Sequence, residues 1–79
     1  MTMNTKKLRT LFSKLEQIKA DMEAIHDKAS TAHGNRSLKW QESDVGSNAY
    51  NRISDLESAI SDLDSAMQNL DNSMYEEDA

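Results

Sequence analysis

The sequence predicts an all-α protein, an antiparallel two-helix hairpin of coiled-coil type, and three observations carry that expectation. Proline is absent and glycine occurs only at Gly34 and Gly46, so nothing inside the two long periodic segments, 8–32 and 53–74, stops a helix. From Ile53 to Met74 the chain reads ISDLESA, ISDLDSA, MQNLDNS, M, a seven-residue unit in three copies whose Ile53, Leu56, Ile60, Leu63, Met67, Leu70 and Met74 step alternately by three and four. Leu8, Leu11, Leu15, Ile18, Met22, Ile25, Ala29 and Ala32 keep the same rhythm in the first half. Such steps place each set on one stripe of a helix and give that stripe a mate to find.

Taken in order, Met1–Asn4 are expected to fray and the first helix to run from about 5 to 32. Its seam shrinks to Ala29 and Ala32, which suits a hairpin narrowing toward its turn. The connection covers about 33–43, with Gly34 free to take a left-handed cap conformation after His33. Ser43 before Asp44 reads as the next N-cap, because the hydroxyl can accept an orphan amide and the carboxylate suits the positive helix end. Ser47 competes for that role, since Gly46 inside a first turn costs about 1 kcal/mol relative to alanine. The second helix follows over about 44–75, and residues 76–79 form an acidic tail of disordered type, all within one domain spanning 1–79.

Two helices of similar length joined by a modest connection pair antiparallel. Setting Leu8 against Leu70 forces Leu11 onto Met67, Leu15 onto Leu63, Ile18 onto Ile60, Met22 onto Leu56, Ile25 onto Ile53 and Ala29 onto Ala49. In this register Lys19 faces Glu57. A shift by one heptad also fills most layers, so the Leu8–Leu70 register is a preference and not a requirement. The charges favour a hairpin independently: lysines at the start of the first helix and carboxylates at the end of the second each oppose their own helix dipole, and pairing brings them together.

A chain of 79 residues without cysteine needs another staple, and a partner subunit is the natural one. Phe12 flanks the first seam while Ala59 and Ala66 widen the second, so the hairpin is expected to dimerise into a four-helix bundle, the alternative being that this surface is reserved for a foreign helix or groove. The net charge of −5 argues against nonspecific nucleic-acid binding, and it is unevenly spread. Up to residue 42 the bases Lys6, Lys7, Arg9, Lys14, Lys19, Lys28, Arg36 and Lys39 outnumber the acids; beyond it Arg52 is the sole base. No apolar run suits a membrane span or a secretory signal, which makes the cytoplasm the expected location.

Catalysis has little to stand on, and the chain is expected to be no enzyme and to carry no cofactor or metal. His26 and His33 lie two turns apart with no third ligand at suitable spacing, and Asp62, Asp64 and Asp71 lack the glycine and glutamate of a calcium loop. The basic segment KKLRTLFSKLEQIK continues the heptad pattern into an acid-containing stretch, as a core helix does and a membrane-surface helix need not. Acidic mimicry of DNA is a further possibility, but the repeated carboxylates are sparser than backbone phosphates. The polar cluster most suited to binding is the connection, where Arg36, Lys39, Trp40, Gln41 and nearby Tyr50 gather. Trp40 either caps the open end of the hairpin core or serves as a binding spot, since tryptophan, tyrosine and arginine dominate interface hot spots and stack on bases.

The segment SLKWQESDVGSNAYNRISDLESAISDLDSAMQNL, through Ser37, Trp40, Gln41, Ser43 and Gly46, resembles short bacteriophage and prophage proteins that join a WQES-like turn to an acidic heptad helix. The resemblance implies a phage accessory protein, a class that often inhibits host machinery or antiviral defence stoichiometrically. The leading expectation is therefore a non-enzymatic helical interaction protein that binds itself and a host protein. Alternatives are an oligomeric sponge holding a small anionic nucleotide signal between Arg36, Lys39, Trp40 and Tyr50, and a structural or assembly component.

Overall fold

The computed structural model describes residues 4–74. The acidic tail expected at 76–79, together with residues 1–3 and 75, lies outside the described residues. The chain folds into α1 (Thr5–Gly34), α2 (Leu38–Glu42) and α3 (Asp44–Met74). Helices α1 and α3 lie antiparallel along a rod of 60 × 15 × 12 Å, and the expected helical hairpin is thus observed.

Local side chains set the boundaries. Asn4 does not fray: its Oδ1 accepts the Lys7 amide at 2.9 Å and caps α1. Gly34 is not a left-handed cap either, since no described glycine has positive φ. It is the last helical residue, and Asn35 closes the helix with φ −85° and ψ −6°, donating its amide to the Thr31 carbonyl at 3.1 Å. Staying right-handed there lets the chain enter α2 almost at once. That short helix was hidden in the connection, and Ser37 starts it by accepting the Trp40 amide at 3.2 Å. Ser43 caps α3 as expected, its Oγ accepting the Gly46 amide at 3.2 Å while donating to the Trp40 carbonyl. Ser47 is already inside the helix, with its amide on the Ser43 carbonyl at 2.8 Å.

Gly46 has a steric role that its helix-weakening character conceals. It is buried beneath α2, and a Cβ there would collide with the Trp40 carbonyl oxygen and come within 2.7 Å of the Gln41 backbone. Only glycine lets α2 rest on the first turn of α3.

The α3 seam is the predicted one: Ala49, Ile53, Leu56, Ile60, Leu63, Leu70 and Met74 are half-buried and Met67 is 6% exposed. The α1 seam differs. Leu8, Leu15, Met22 and Ala29 face inward as expected, but the alternate positions are Phe12, Lys19, His26 and His33, each one residue beyond the predicted Leu11, Ile18, Ile25 and Ala32. Those four are displaced to solvent, with Leu11, Ile18 and Ile25 at 40, 48 and 62% exposure.

Register is corrected along with rotation. Lys19 Nζ meets Asp64 Oδ1 at 2.7 Å instead of Glu57, and Glu57 lies 3.5 Å from His26 Nε2. Lys19 therefore sits one heptad further along α3 than in the Leu8–Leu70 alignment. Leu15 is accordingly level with Met67 and Gln68 in place of Leu63, and Phe12 shares a cleft with Asp71. The polar residues explain the choice: in this alignment Lys19, His26 and His33 each reach an acceptor on α3, namely Asp64, Glu57 and the Gly46 carbonyl. Burying them at the seam edge without acceptors would leave polar groups unsatisfied.

Gly46→Ala is expected to destabilise by about 1–3 kcal/mol despite alanine's better helix propensity, because overpacking against backbone has no flexible side chain to absorb it. Urea unfolding checks this, and equal or greater stability of the variant contradicts the packing. The Lys19 hydrogen bond, and then its charge, holds the Asp64 carboxyl below the usual carboxylate range, while the same hydrogen bond raises Lys19. A depressed carboxylate stabilises the fold above its unfolded pKa and loses that contribution as pH falls through its folded one. Lys19→Met should therefore lower the melting temperature at neutral pH, and the gap to wild type should close on acidification below the ordinary carboxylate range. A gap that is unchanged at acid pH argues against the pair.

Candidate functional site

The two sides of the hairpin are chemically unlike. One edge carries the polar ladder of Lys19 with Asp64 and His26 with Glu57. The other is mainly apolar: Leu11, Ile18, Ile25 and Ala32 run down α1, and Ala59 and Ala66 run down α3, with the charged Arg52 one heptad before them. Ala32 and Arg52 line the same groove, which shows that these two stripes open to the same side.

That groove sits at the turn end and has a volume of about 450 Å³. Ala29, Ala32, Ile53 and Leu56 form its floor, small on the α1 side and branched on the α3 side. Trp40 and His33 form a wall, with Arg36 and Arg52 beside them. Ring and cation are coupled, because the Arg36 guanidinium carbon lies 4.0 Å from the Trp40 ring centroid in a cation–π contact. His33 is the hub of the wall. Its Nε2–H donates to the Gly46 carbonyl at 2.9 Å, and its ring stands edge-on to Trp40 at 5.3 Å and tilted against Tyr50 at 5.9 Å. These contacts tie α1, α2 and α3 together at one point.

The structure sorts the sequence candidates into three groups. Arg36 and Trp40 are brought together and face the groove. Gln41 and Tyr50 serve the wall: the Gln41 side-chain amide donates to the Arg36 carbonyl at 2.7 Å and more weakly to that of Gly34 at 3.4 Å, and Tyr50, itself exposed, abuts His33. Lys39 is exposed on α2 and does not line the groove. The residues missed are His33 and Arg52. Arg52 was signalled by being the sole base of an acidic half, and His33 by completing the heptad series Phe12, Lys19, His26, His33.

Chemically, the groove offers two guanidinium donors and an aromatic wall above an apolar floor, with no carboxylate among the described residues that line it. That donor set suits a flat or apolar body bearing negative charge. Among the described residues no group of three or more metal-ligating side chains comes together, and no helix is long and apolar enough to cross a membrane. Comparison with protein-family models, curated proteins and solved structures gives no match.

Trp40→Ala is expected to cost about 1–3 kcal/mol, less than a fully buried tryptophan, because the ring is half-buried and holds His33 and Arg36. A melting temperature unchanged by the substitution would contradict its role in joining α2 to the hairpin.

Proposed function

We propose that this chain is a non-enzymatic interaction protein that works as a self-associated bundle of helical hairpins and acts by binding another macromolecule. The observation that supports it most is the open face, where a regular Leu11, Ile18, Ile25 stripe stands in solvent beside the small Ala59 and Ala66. A contiguous apolar stripe of that length on a small protein marks an interaction surface. The finer reading is that of a phage-encoded inhibitor acting in the host cytoplasm on a defence complex, and its support is the resemblance of the WQES turn and acidic heptads to phage accessory proteins.

Ile18→Asp separates this surface from the hairpin seam. By sedimentation the wild-type chain should exceed one subunit and Ile18→Asp should run as a single subunit that keeps its helical circular dichroism in the cold. A wild-type chain that sediments as a monomer at high micromolar concentration contradicts self-association. Affinity capture from phage-infected cells tests the target: stoichiometric recovery of a defence subunit supports the inhibitor reading, and recovery of the protein alone opposes it.

A second reading, a sponge for a small anionic nucleotide, is favoured by the two arginines and the tryptophan around one carboxylate-free groove. Calorimetry with cyclic nucleotides should then show binding that Arg36→Ala with Arg52→Ala abolishes. Absence of heat at millimolar ligand rejects it.

A further inference from the structure

The open face is self-complementary in two ways, and both select one arrangement. In size, α1 offers the long side chains Leu11, Ile18 and Ile25 and then the small Ala32, whereas α3 offers the small Ser73, Ala66 and Ala59 and then the long Arg52. In charge, the α1 stripe is bordered by Lys7, Lys14, Asp21 and Lys28, one heptad apart, and the α3 stripe by Asp55, Asp62 and Asn69. One rim is mainly basic and the other acidic. Knobs fit a row of small side chains better than another row of knobs, and opposite rims attract.

Resting on the self-association proposed above, we infer that the occupant of this face is a second copy of the chain, placed so that α1 of each copy lies on α3 of the other and the two turn ends sit together. The symmetry is a two-fold axis along the bundle. Rotation about such an axis leaves every residue at its own height, so the levels seen within one hairpin carry over between copies. Lys19 is level with Asp64 and His26 with Glu57. Ile25 of the second copy then meets Ala59, Ile18 meets Ala66, and Leu11 meets Ser73. On the rim, Lys28 of the second copy comes level with Asp55 and Lys14 with Asn69. Asp21 opposite Asp62 is the one unfavourable neighbour. The alternative axis, across the bundle, would stack α1 on α1 and α3 on α3. It sets long side chains against long, leaves Ala59 and Ala66 facing small residues across a gap, and lines basic rim against basic rim. Packing and charge both disfavour it.

The chain has no cysteine, so Asn35→Cys at the exposed turn supplies a unique spin-label site. Pulsed dipolar spectroscopy on the dimer should give a separation below half the 60 Å length of the rod. A separation near the full length, in a protein that still sediments as a dimer, overturns this arrangement and leaves self-association standing. A monomer in the same sedimentation run overturns both. Charge reversal supplies an independent readout: Lys28→Asp and Asp55→Lys should each weaken self-association by about fivefold, because each places like charges across both symmetric contacts. An equimolar mixture of the two variants should recover wild-type association, since the mixed dimer restores both opposite-charge contacts. Absence of that recovery, or dimers of the single variants as tight as wild type, overturns the pairing.

Discussion

The apolar surface of α1 is too wide for one neighbour to cover, and that constraint shapes the rest of the molecule. Leu8, Leu15, Met22 and Ala29 form a central stripe; α3 covers it from the side of Phe12, Lys19, His26 and His33 and leaves Leu11, Ile18 and Ile25 behind. Among the described residues Met67 is the one buried hydrophobic side chain. Leu11, Ile18 and Ile25 are 40, 48 and 62% exposed. Fully burying a leucine or isoleucine is worth about 1.5–3 kcal/mol, so covering what these three leave open contributes roughly 2–5 kcal/mol per chain, a large share of the stability of a small domain, about 5–15 kcal/mol. A helix that shares a central stripe between two partners is the ordinary member of a four-helix bundle.

The seam that α1 does close is partly polar, and this has a consequence for specificity. Sliding the hairpin by one heptad would keep most apolar layers filled but would separate Lys19 from Asp64, His26 from Glu57 and His33 from the Gly46 carbonyl. Apolar side chains supply the attraction, and these polar contacts choose among alignments that attraction leaves nearly equal. The turn end does the same for the approach angle, because Gly46 admits α2 to a distance no other residue allows and His33 then joins all three helices.

The heptad rhythm made both long helices, the antiparallel hairpin and the whole α3 seam legible, and Ser43 with Asp44 located the start of α3. The α1 seam was not legible in the same way. Leu11, Ile18 and Ile25 look like core by hydropathy, and the polar Lys19, His26 and His33 look like surface; what inverted them was the presence of acceptors at matching heights on α3, a tertiary property. Arg36 and Trp40 are neighbours in sequence as well as in space, whereas Arg52 enters the groove only because the hairpin folds it back beside Arg36. Helix α2 escaped notice because five residues carry too little periodicity to stand out, although Ser37 three residues before Trp40 is the spacing of a cap.

The proposed dependence of the fold on a partner for α1 is tested most directly by thermal unfolding as a function of protein concentration. If the Leu11, Ile18 and Ile25 stripe is covered by association, unfolding is coupled to dissociation and the melting temperature climbs steadily as the chain is concentrated from the low to the high micromolar range. A melting temperature that stays constant over that range would mean that the hairpin carries its stability alone, and would contradict the central role of the open face of α1.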